Sequence, residues 1–177
     1  EAAETVLYRH RSHASLVDAG ISCKRIDTGV QELGIKPDEL AGVLITHEHS
    51  DHISGIRFFQ KSISVPLYGT KETLEAIERM DVKKEIDPDL YRPVRADEQI
   101  VVGDLLNTIF KQHDAANPVG YRAEAEGHAV GVVTDLGGTA DTINHLLGLD
   151  AVLLEANHDV HMLEAGPYPF PLKRRIL

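Results

Sequence analysis

The chain has 177 residues, 42% hydrophobic and 26% charged, with a formal net charge of -10. That is the size and composition of a single soluble globular domain, 1–177, with a core of its own, and it excludes a disordered or fibrous chain. The acidic balance excludes nucleic-acid binding through bulk charge, which needs clustered Lys and Arg, but not a nuclease with a small local groove.

Thr5 to Arg9 and Ala14 to Val17 read as the two strands of a hairpin, joined by the polar turn at Arg11-Ser12-His13. Ser22 is placed to cap a helix with Ile26, Val30 and Leu33 at helical spacing, stopped by Gly34. Gly42-Val43-Leu44-Ile45 is an apolar run suited to a buried strand. A second helix is expected after Thr70, with Leu74 and Ile77 on one face. Leu105 to Lys111, Gly120 to Ala125 and Ala129 to Thr134 read as strands, the last two joined by a turn at Glu126-Gly127. Thr139 to Leu147 reads as a helix closed by Gly148, and Ala151 to Leu154 as another buried strand. Strands and helices alternate in each half, which favours an α/β arrangement of two sheets with helices outside.

The strand ending at Thr46 runs straight into His47-Glu48-His49-Ser50-Asp51-His52. Imidazole nitrogen and carboxylate oxygen are the ligands that zinc-like divalent ions accept. His47 and His49 are two apart and project to one side of extended backbone. If the chain then turns, Asp51 and His52 face a neighbouring position, so one short segment serves two ions. Chance enrichment of a solvated loop is a poor account of three histidines and two acids packed this closely.

The pattern His-x-His-x-Asp-His after an apolar strand resembles the signature of the metallo-β-lactamase superfamily. The resemblance implies a four-layer αββα sandwich with the metal site at one edge of the two sheets. Further positions match in order: His113 corresponds to the third histidine of the first metal site and Asp135 to the aspartate that bridges both metals. Taken alone, His113 reads as a structural histidine and Asp135 as a turn residue. Asp18, in Leu16-Val17-Asp18-Ala19-Gly20, matches a position that supports the metal loop from behind by hydrogen bonding. The finer similarity is to the YycJ/WalJ-type branch, carried by Leu16 to Ser22, His113-Asp114-Ala115, Pro118 to Tyr121, Glu155-Ala156-Asn157-His158-Asp159 and Gly166-Pro167-Tyr168-Pro169.

For this branch the resemblance implies a hydrolase with two divalent ions, zinc, manganese or iron, acting as an exonuclease on phosphodiesters, in particular DNA. Two ions sharing a carboxylate activate water and stabilise in-line displacement at phosphorus. Asp51 is the candidate to orient or deprotonate that water. His158 is the candidate acid for the leaving oxygen, with Glu155 or Asp159 holding its tautomer. Thioester or lactam hydrolysis on the same fold is the alternative within enzymes, and a catalytically silent regulatory or binding protein the alternative outside them. The other histidines, His10, His13, His128 and His145, read as surface residues, and His161 as a capping or packing one.

The lone Cys23 cannot form an internal disulfide, which fits a reducing cytoplasm. It reads as a small buried residue of the first helix. No stretch approaches the roughly 20 apolar residues of a membrane span, and Glu1 to Glu4 lacks a signal-peptide pattern. The sequence neither opens on Met nor closes on a capping signal, and Pro171 to Leu177 reads like the opening of a helix. Continuation at both ends is therefore expected, with the remaining histidine of the second metal site beyond Leu177. The oligomeric state is not legible.

Overall fold

A computed structural model of the chain describes residues 4–111, 117–134, 140–155, 160–167, 169–170 and 173. The hairpin forms as expected: β1 (Val6–His10) pairs antiparallel with β2 (His13–Val17). Arg11 turns the chain in the left-handed region, at φ 49. Helix α1 (Cys23–Glu32) buries Ile26 and Val30, and Gly34 leaves it at φ 65, where a glycine has no Cβ to strain. Two expectations there need correction. Ser22 occupies the cap position without a side-chain hydrogen bond, and Leu33 lies past the last helical turn, 57% exposed. Cys23 is half-buried at the helix start.

Strand β3 (Leu40–Leu44) leads to the metal-type motif, followed by the short helices α2 (Ser50–Ile53) and α3 (Ile56–Ser62). Next come β4 (Leu67–Thr70) and α4 (Lys71–Met80), whose first turn is capped by Thr70 accepting from the Thr73 amide. Strands β5 (Tyr91–Val94), β6 (Gln99–Val102), β7 (Leu105–Lys111), β8 (Val119–Ala125) and β9 (His128–Val133) follow. Helix α5 (Ala140–Leu146), β10 (Ala151–Leu154) and α6 (Val160–Ala165) complete the series.

One sheet has the order β1-β2-β3-β4-β5, the other β10-β9-β8-β7-β6. Alternating side chains build two cores. Val17, Leu44, Ile109, Tyr121 and Val132 fill the space between the sheets. Leu16, Val43 and Ile45 point the other way, to Ile26, Val30, Ile56, Leu74 and Ile77 of the covering helices. On the outer face of the second sheet, a Cβ at Gly131 would meet Leu149 at 2.7 Å and Leu146 at 3.6 Å, so glycine lets α5 and the turn after it sit close. The layers run helix, sheet, sheet, helix.

Strand β10 corrects a further expectation. It forms at Ala151–Leu154, but at the sheet edge, paired among the described residues with β9 alone, with Val152 48% and Leu153 45% exposed. An apolar run announces a strand; whether it is buried depends on what lies on each face.

Candidate metal centre

The strand ends converge on one edge. Asp18 follows β2, Thr46 and His47 follow β3, and the backbone bonds Val119 N to Thr46 O (3.0 Å) and Glu155 N to Val133 O (2.9 Å) bring the second sheet to the same place. Tyr121 is fully buried and its hydroxyl donates to the Ile45 carbonyl at 2.7 Å, pinning β8 to the strand that carries the motif. Burial, and then the Asp18 charge, push its phenol well above the ordinary range, so it remains a donor.

Asp18 is the hub. It is 1% exposed and sits at φ 58, a left-handed conformation that Asp tolerates better than most residues. Its Oδ1 accepts from the Thr46 amide at 2.8 Å and its Oδ2 from the Thr46 hydroxyl at 2.7 Å. His52 Nδ1 lies 2.8 Å from the same Oδ2. A carboxylate only accepts, so His52 Nδ1 carries the proton and donates. The Thr46 hydroxyl has spent its one proton on Asp18, so His47 Nδ1, 3.0 Å away, must donate to it. Both rings thereby turn an Nε2 lone pair away from Asp18.

His47 Nε2 faces His49 Nδ1 at 2.9 Å, with the two rings edge to face. The His47 and His52 ring centroids lie 4.1 Å apart. On a tetrahedral zinc with Zn–N near 2.0–2.1 Å, two nitrogens are about 3.3 Å apart. The His47–His49 pair is thus close to the spacing one ion requires, and the donor set fits a borderline divalent cation. Asp51 and His52 belong to helix α2 rather than to a loop, with His49 at its N-cap position. Asp51 Oδ2 lies 3.7 Å from His52 Nε2.

Glu155 follows β10, and one of its carboxylate oxygens lies within 4.8 Å of a ligand atom of His52 and of Glu4. Glu4 escaped the sequence reading, because only the folded hairpin brings residue 4 beside residue 52. Of the other expected site residues, His113, Asp135, His158 and Asp159 lie outside the described residues, as do Asp114, Ala115, Asn157 and most of Pro171 to Leu177.

Of the remaining histidines His128 is exposed, as expected, while His10, His13 and His145 are half-buried. His10 and His13 lie toward Asp104, His10 also toward Glu126, and His128 toward Asp150. His145 stacks on Phe110 at 4.9 Å.

This fold and this edge of histidine and aspartate define a metallohydrolase-type scaffold, and the chain belongs to the beta-lactamase superfamily, whose domain profile matches residues 13–167. It is 35% identical over 164 residues to the exodeoxyribonuclease WalJ of Streptococcus pneumoniae and 33% identical over 172 residues to the exodeoxyribonuclease YycJ of Bacillus anthracis. Each match takes in 92% of this chain but 61% of the relative, so the chain spans about three-fifths of their length. In fold it is similar to zinc-bound PqqB from Methylobacterium extorquens, with a TM-score of 0.77, 20% identity, and 95% of this chain and 65% of that one covered. Among the described residues no helix is long and apolar enough to cross a membrane.

Proposed function

We propose that this chain is a dinuclear metal-dependent phosphodiesterase that degrades DNA from an end, as a single domain over 1–177 in the cytoplasm. The observation that carries the reading is the Asp18–Thr46 relay. It spends the Nδ1 proton of both His47 and His52, which makes Nε2 the nitrogen through which each ring would meet a cation. The two exodeoxyribonucleases matched over 92% of the chain support the choice of substrate.

In this reading His47, His49 and His113 would hold one ion, Asp51 and His52 the other, and Asp135 would serve both. When bound, the two ions (zinc, manganese or iron) supply an acidified water and charge stabilisation for in-line displacement at phosphorus. Asp18 holds His52 and Thr46 in place from behind. Asp51, at the start of α2, orients the attacking water and takes its proton. His158 protonates the leaving oxygen, its tautomer held by Glu155 or Asp159. The -10 charge leaves attraction of the phosphate to the site itself.

The test is a hydrolysis screen of the full-length protein with Mn²⁺ or Zn²⁺ on bis-p-nitrophenyl phosphate, 5′-phosphorylated duplex DNA, RNA and a thioester. Cleavage of the diester and release of nucleotides from the DNA end are expected. Cleavage of the thioester alone overturns the nuclease reading. A protein that holds fewer than two ions and hydrolyses nothing is instead a silent member of the fold.

A further inference from the structure

Glu4 lies ahead of β1, outside the metal motif, yet its backbone is clipped to that motif. Its amide donates to the Asp51 carbonyl at 2.9 Å, and its carbonyl accepts from the Gly20 amide at 2.8 Å. Gly20 makes this approach possible: a Cβ there would fall 1.4 Å from the Asp51 carbonyl oxygen and 2.8 Å from the Glu4 nitrogen. So clipped, Glu4 sends its carboxylate toward His52 and Glu155, and one ligand atom from each of the three residues lies within 4.8 Å of the other two. His52 is 1% exposed, and Glu4 Oε2 is shut off from solvent.

Two carboxylate oxygens and an imidazole nitrogen this close form the mixed N,O donor set that a divalent cation takes. His52 commits Nδ1 to Asp18, so the nitrogen it can offer a metal is Nε2. We infer that Glu4 is a metal ligand of this centre, supplying with Glu155 the oxygen side of the position served by His52, which leaves Asp159 to hold the tautomer of His158. The inference rests on the dinuclear reading and adds a residue to it. An oxygen-rich set around one imidazole narrows the lead that zinc ordinarily has over manganese, since carboxylates suit the harder ion.

The experiment is Mn²⁺ binding to the full-length protein, followed by the loss of the free-ion electron paramagnetic resonance signal, for wild type, Glu4→Gln and Glu4→Asp. Zn²⁺ competition and melting in chelator run alongside. Glu4→Gln keeps the backbone clip and the side-chain size and removes one of two neighbouring carboxylates, so its metal-free melt is expected at or above that of wild type. Its weaker Mn²⁺ site is expected to lose about ten-fold or more in affinity, with a smaller loss for Zn²⁺ and an intermediate value for Glu4→Asp. Wild type binding two ions while Glu4→Gln gives a superimposable isotherm overturns this inference alone. Wild type binding fewer than two ions overturns the dinuclear reading and this inference with it. Should Glu4→Gln fail to fold without metal, Glu4→Asp decides: wild-type affinity in it overturns the inference, since its carboxylate is a methylene short of the site.

Discussion

At one edge of the sandwich His52 Nδ1 meets Asp18 at 2.8 Å, with side chains 1% and 2% exposed. At the opposite edge His10 Nδ1 lies 3.2 Å and His13 Nδ1 3.5 Å from one oxygen of Asp104, with side chains 18%, 45% and 26% exposed. The residue types are the same and the consequences differ. In the buried pair the Nδ1 proton goes to the carboxylate, which fixes tautomer and ring orientation and turns Nε2 away from Asp18. At the wet edge, Asp104 is shared between two rings, while Glu126 divides itself between His10 and Arg11. Such contacts join the turn of the β1–β2 hairpin to the turns before β7 and after β8. The side chains are partly exposed although the ring nitrogens His10 Nδ1, His10 Nε2 and His13 Nδ1 are not, and long, shared contacts of this kind fasten the sheets weakly and fix no single proton.

The most forceful way to break this contrast is at the backbone. Gly20→Ala drives a methyl into the Asp51 carbonyl and so displaces α2 and the clip to Glu4. A loss of about 3 kcal/mol or more is expected from denaturant unfolding of the metal-free protein. Gly127, in the β8–β9 turn at the wet edge, has nothing within 4 Å of an added Cβ and only its φ of +83 to strain. Gly127→Ala is expected to cost about 1–2 kcal/mol in the same measurement. Equal losses at the two glycines would deny the metal edge its tighter construction.

A smaller change aims at the proton itself. Asp18→Asn keeps the shape and still accepts from the Thr46 amide, but its NH₂ can face His52 Nδ1 only if that nitrogen gives up its proton. The proton then moves to Nε2 and blocks the metal-facing lone pair. Roughly 1–3 kcal/mol of metal-free stability and about 10–100-fold in affinity for the His52-side ion are the expected losses. Unchanged metal affinity would show that the relay does not set the tautomer.

The contrast also explains what the sequence discloses. The run His47 to His52 is legible because its ligand types are adjacent and follow an apolar strand, so local order carries the information. Strands β7, β8 and β9 are legible because their residues alternate or run apolar between turn residues. Strands β4, β5 and β6 are missed for physical reasons. β4 has only Leu67 to Thr70, β5 contains Pro93 at a sheet edge, where a missing donor is tolerated, and three of the four residues of β6 are not buried. The place of Glu4 is invisible because it depends on Gly20 and Asp51 meeting across the fold. The same holds for His10 and His13, whose partner Asp104 is about ninety positions away and joins them only when the sheets pack.

The finest test lies at the wet edge and turns on pH. Burial alone would raise the Asp104 carboxyl, but the contact with His13 and the charges of His10 and His13 outweigh it, and the group is held below its ordinary value of 3.8. Glu126 is held low as well, chiefly by Arg11. A carboxyl lowered in the folded state adds stability above its unfolded pKa and loses it as pH falls through the folded one. Asp104→Asn should therefore cost under about 1 kcal/mol at pH 5, and the difference from wild type should close below pH 3.8 as the native carboxyl takes its proton. At pH 5 it should shrink in 0.5 M salt, because these side chains are partly exposed and ions screen their charges, whereas the effect of Asp18→Asn should hardly respond to salt. Denaturant midpoints of the two variants at both salt concentrations measure this directly. An Asp104 effect as large and as salt-resistant as that of Asp18 would mean that the second edge is built like the first, and would make its histidines candidates for a site in their own right.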